Sequence, residues 1–88
     1  MNNDVRFRGL ISDYKEKRKI KEEAYAHFEK VSAEWDRQVW NNPQCDADLE
    51  TRLSKELDCA RVAYEQAKKE LLFYADFAMS YMIKEFDL

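Results

Sequence analysis

Residues 40–46 read Trp-Asn-Asn-Pro-Gln-Cys-Asp, and this stretch decides how the 88-residue chain is organised. Proline locks its own φ, lacks the amide hydrogen a helix needs, and pushes the preceding residue out of the helical region. Pro43 is the only proline and Gly9 the only glycine, so this is the one strong break. Few turns mean few elements, and those elements must be long.

Upstream of the break, Ala24, Phe28, Val31, Trp35 and Val39 recur at steps of four, three, four and four. That is one apolar face of a 3.6-residue period. Asp13 followed by Glu16 fits a reciprocal capping box, so the pattern predicts a helix from Ser12 or Asp13 to Trp40 (12–40). Downstream, Asp46 or Asp48 can cap a second helix over 46–87. Its apolar stripe runs through Leu49, Leu53, Leu57, Ala60, Tyr64, Ala67, Leu71, Tyr74, Ala78 and Tyr81. Steps of three and four are close to coiled-coil spacing. A short connection between two long helices favours an antiparallel hairpin with the stripes face to face.

Residues 1–11 are expected as a separate small unit, with Gly9 at a bend. This unit is either a short helix packed across the hairpin or an arm reaching a neighbouring subunit. The expected fold is therefore all-α, one domain over 1–88, a long antiparallel hairpin that oligomerises through its helix faces. Size supports the oligomer, because a chain this short builds only a marginal core alone.

Composition removes several function classes. Charged residues make up 38% and apolar residues 45%, interleaved as amphipathic helices require. The most apolar stretch, Leu71 to Ile83, has 13 residues and includes Asp76, whereas a membrane span needs about 20. No membrane partner is expected. The opening MNNDVRFRGL has no apolar leader segment, which with two cysteines in no metal-like spacing points to a reducing cytoplasm. Cys45, Cys59 and the lone His27 do not form a metal-ligand or nucleophile–base pattern. One glycine rules out a glycine-rich phosphate loop. An acidic chain without a uniformly basic helix is a poor duplex-DNA binder. The expectation is a binding protein, not an enzyme, with no cofactor and no metal.

Two features exceed a plain hairpin. In the last third of the second helix, Phe73 and Phe77 point roughly opposite to the Leu71–Ala78 stripe. They either form an association surface or are covered by residues 1–11 folding back. The second feature is charge. Residues 1–21 hold seven basic and three acidic side chains, net +4; the whole chain is −3, leaving −7 on residues 22–88. A concentrated basic end on an acidic protein implies an anionic partner met there. Extending the inward face back from Phe28 and Ala24 reaches Lys21, then Lys17, with Tyr14 close to the same line. Ammonium groups beside an aromatic ring can hold a phosphate and stack a base. The alternative is that both lysines are solvated or snorkel from an overhanging helix end.

Phe7-Arg8-Gly9-Leu10, followed after nine residues by Ile20-Lys21, resembles the start of a family of small phage proteins, the anti-CBASS cyclic-oligonucleotide sponges. The resemblance implies an all-helical homo-oligomer that sequesters cyclic dinucleotides, and in some members cyclic trinucleotides, to block host anti-phage signalling. It implies that Phe7, standing where the family has tyrosine, stacks on a base, and that Lys21 contacts phosphate. Lys17, Arg8 and Tyr14 would complete the ligand-binding set. The spacing is one residue shorter than the family's, and the family's second-helix pattern is absent, so a trinucleotide site is not carried over. The other class of partner open to such a chain is a host protein, met by a helical interaction module such as an inhibitor or adaptor.

Overall fold

The computed structural model describes the backbone of residues 2–86 and the side chains of residues 5–86. Helix α1 spans Asn2–Trp35 and continues as a single widened turn of π-helix over Asp36–Trp40; helix α2 spans Ala47–Phe86. The two lie antiparallel in a rod 64 × 16 × 16 Å. Forty helical residues at 1.5 Å each give about 60 Å, so each helix runs nearly the whole length. Among the described residues there is no strand.

The turn is built as the proline demands. The Asn41 amide reaches back to the Asp36 carbonyl at 2.8 Å, which closes the π turn just ahead of Pro43. The Asn42 side chain accepts from the Gln44 amide at 3.1 Å, an Asx turn that mimics backbone pairing. Asp46 then caps α2, its Oδ1 accepting the Leu49 amide at 2.7 Å. Of the two candidate caps Asp46 is the one used. It satisfies a free donor of the first turn and places negative charge at the positive end of the helix dipole.

Every residue of the expected α2 stripe, from Leu49 to Tyr81, is buried or half-buried. The core is thin: among the described residues Val31, Leu53, Ala60, Ala67, Leu71 and Ala78 are its buried members, and three of these six are alanine. Small side chains there let the helices approach closely. Around them, Tyr64 packs against both Tyr25 and Phe28, with ring centroids 5.1 and 6.1 Å away.

The expectation for residues 1–11 is corrected. From Asn2 onward they continue α1 without interruption through Gly9, neither as a separate short helix nor as an arm; Met1, like Asp87 at the far end, lies outside the described residues. Likewise the helix does not start at Ser12 or Asp13. A capping residue needs non-helical backbone, and here the upstream turns are held helical by α2. Phe7 meets Phe86 edge to face at 6.2 Å, and the Arg6 guanidinium donates to the Tyr81 hydroxyl at 3.3 Å. Asp13, freed from capping, bonds across to α2 instead.

Two stability outcomes follow from this geometry. A Cβ added at Gly9 meets nothing within 4 Å, so Gly9→Ala is expected to stabilise the chain by about 0.5–1 kcal/mol through helix propensity. Urea unfolding measures it, and a loss of stability would mean that a bend at Gly9 is needed after all. Asp46→Ala removes the cap and is expected to cost about 1 kcal/mol in the same assay.

Candidate functional site at the open end of the hairpin

The N-terminal half of α1 lies beside the C-terminal half of α2, at the end of the rod opposite the turn. In that half, residues 2–21 carry net +4 while residues 67–86 hold three basic and three acidic groups. The open end is therefore positive, and the turn end, with eleven acidic and five basic groups over 22–66, is negative.

Tyr74 organises this end. Its hydroxyl sits 3.4 Å from the Leu10 carbonyl and 3.3 Å from the Asp13 carboxylate, and donates between them. Removal of the phenol from water, then the neighbouring Asp13 charge and the bond to it, raise its pKa above the ordinary tyrosine value. The Lys17 ammonium lies over the same ring, 5.5 Å from its centre. The inward placement of Lys17 expected from periodicity is therefore present, and what meets the cation is an aromatic face. Lys21, one turn further on, is half-buried on the same line. Among the described residues, neither lysine has a carboxylate within 4 Å.

Tyr14 is half-buried on the other flank. The Arg18 guanidinium lies over its ring at 5.9 Å and also reaches Glu22 at 3.9 Å. Tyr14, Lys15 and Arg18 rim a groove of about 430 Å3, floored by Leu10, Ala78, Met79 and Met82. Its size falls within the range of small-molecule pockets, about 300–1,000 Å3, though it stays open to solvent along one side.

The residues expected to share one binding site are not brought together within the chain. Fourteen residues of unbroken helix separate Phe7 from Lys21, about 21 Å at 1.5 Å per residue. Phe7 packs on Phe86 and Arg8 is exposed. Tyr14 lines the groove just described, whereas Lys17 lines another with Gln66, Lys69, Glu70 and Phe73. Lys15, Arg18 and Tyr74 were not singled out as site residues from the sequence. Arg18 was within reach, standing four residues after Tyr14 where helix neighbours meet. Tyr74 was visible only as one member of the apolar stripe.

Residues 5–11 do not fold back over the outer aromatics of α2. Phe73 is 79% exposed and Phe77 54%. Leu72 and Met79 are similarly uncovered, so the outer side of α2's last third carries large apolar side chains on both flanks of Asp76.

No protein-family model matches the chain, and no curated protein or solved structure matches it.

The raised Tyr74 pKa makes a signed prediction. Its contribution to stability is complete below the ordinary tyrosine value of about 10. Above that pH the unfolded phenol ionises first, and the contribution disappears as pH rises through the higher folded value. Tyr74→Phe is expected to reduce this alkaline loss of stability, read as the slope of denaturation midpoint against pH. An unchanged slope would show that the Tyr74 hydroxyl is not held as described.

Proposed function

We propose that this chain is a non-catalytic helical interaction module, which docks the outward strip of α2's last third against a protein surface. One observation carries the reading: Leu72, Phe73, Phe77 and Met79 stay exposed within two turns of each other after α1 has packed. Apolar side chains left uncovered bring a binding gain of about 25 cal/mol per Å2 when a partner covers them, and exposed large apolar surface on a small monomer marks interfaces. Aromatic and methionine side chains are also the types enriched at protein–protein contacts.

The groove at the open end supports a second reading, the sequestration of a cyclic dinucleotide. Tyr14 offers a ring for a base, and Lys15 and Arg18 offer charge for phosphate, each such hydrogen bond contributing about 1.5–3 kcal/mol. That site is re-centred relative to the one implied by the resemblance to the cyclic-oligonucleotide sponges, because Phe7 and Lys21 stand too far apart along α1. The reading is second because the groove is open and its Arg18 is already engaged by the Tyr14 ring and Glu22.

One paired experiment separates them. A photoreactive residue at position 77 is introduced and irradiated in the cell that makes the protein. Meanwhile the purified chain is titrated calorimetrically with cyclic di- and trinucleotides and their linear counterparts. An adduct with a protein, a second copy of the chain included, that is lost in Phe73→Ser is the expected result, with no heat from the nucleotides. Saturable binding of a cyclic nucleotide, weakened about tenfold or more in Arg18→Ala as loss of one charged hydrogen bond implies, would replace the first reading by the second.

A further inference from the structure

The outward face of α2 is complementary to itself. Counting in sevens along the side farthest from α1 gives Val62, Lys69, Asp76 and Ile83, all exposed. Seven residues are almost two full helical turns, so these four form one straight line. Read in the opposite direction the line becomes apolar, acidic, basic, apolar. Laid antiparallel on a second copy, Val62 meets the partner's Ile83 and Lys69 meets the partner's Asp76, and each pairing occurs twice. The two-fold axis of that register passes between residues 72 and 73. It sets Leu72 against the partner's Leu72 on one flank, and Phe73 against the partner's Phe73 on the other.

From this we infer that α2 is the interface of an antiparallel homodimer, with the outer helices in the order α1, α2, α2, α1. The inference rests on the interaction-module reading and names its partner as a second copy of this chain. Four further observations support it. Lys69 and Asp76 have no ion-pair partner within the chain among the described residues. A shallow depression lined by Val62, Glu65, Gln66, Lys68, Lys69 and Leu72 lies in the span that the partner's residues 73–83 cover in this register. The chain exposes 7179 Å2, whereas a globular protein of this mass exposes about 5,500 Å2; the difference of about 1,700 Å2 is ample for the roughly 800 Å2 per partner of a stable interface. The basic N-terminal segments end up on the outside. Three helix spacings of about 8–10 Å separate them, well beyond the screening length of about 8 Å at physiological salt.

The test is a charge swap read by sedimentation equilibrium, with circular dichroism to establish that each variant is folded. Lys69→Asp puts like charges opposite each other at two places, and so does Asp76→Lys. Each single variant is expected to weaken the dimer at least about tenfold, since facing like charges cost several kcal/mol. The double variant K69D/D76K restores opposite charges and is expected to recover dimerisation to within a few-fold of the original. Phe73→Ser, which leaves charge unchanged, is expected to weaken it as well. A folded wild-type chain that stays monomeric overturns the inference, as does a dimer indifferent to the single reversals or not rescued by the double. A monomer that still gives a cross-link to another protein from position 77 overturns the dimer alone. A monomer giving no protein adduct overturns the interaction module with it.

Discussion

Two helices side by side can bury only one stripe each, and everything else about this molecule follows from that constraint. No residue sits at the centre of a ring of neighbours as in a bundle of three or four helices. Among the described residues the buried set reduces to Val31 and five α2 residues, three of them the alanines Ala60, Ala67 and Ala78. Larger side chains such as Tyr64, Phe28 and Tyr74 straddle the seam with part of each ring in water. Folding such a chain fixes about 80 residues in return for a seam one layer thick. The radius of gyration is 19.3 Å, against about 12 Å for a compact domain of this length. Surface that a globular fold would have hidden is left for other contacts.

The open end shows how the seam handles polar groups. Lys17 and Lys21 sit on positions that periodicity reserves for apolar side chains, and the molecule lines the lysine stem with helix while giving the ammonium of Lys17 a ring to rest on. Tyr74 joins three otherwise awkward groups: a carbonyl of α1, a carboxylate that does not cap a helix, and a cation facing inward. At the turn end the equivalent work falls to Glu34, which accepts from Arg37 and Gln38 across the last turn before the break. Those two donors hold its carboxyl below the usual carboxylate range.

The hairpin was legible in the sequence wherever one helix's own periodicity carried the information. The ten-residue stripe of α2 and the break before Pro43 are local patterns and needed no partner to interpret. The start of α1 was not legible, because Asp13 and Glu16 look like a cap only while Asp13 is free, and the group that claims Asp13 is Tyr74, 61 residues away. The spread of the candidate site residues was hidden for a related reason. With residues 2–11 helical through Gly9, Phe7 and Lys21 stand about 21 Å apart along one helix, and what holds that first stretch helical is Phe86 and Tyr81 of the other helix. Contacts between helices depend on register, and register appears only when both helices are seen together.

The antiparallel hairpin also sets an order of events along the rod. Residues flanking the turn are close in sequence, so pairing them closes a short loop at little entropic cost, while Arg6 and Tyr81 stand 75 positions apart. Contacts formed first at the turn shorten the effective loop for the next pair, and assembly proceeds like a zipper toward the termini. Fraying runs the other way. Amide protection is then graded along each helix, higher in the hydrogen-bonded turns nearer the connection than in those beyond Tyr74. The half of the rod that carries the exposed aromatics is the last to close and the first to open.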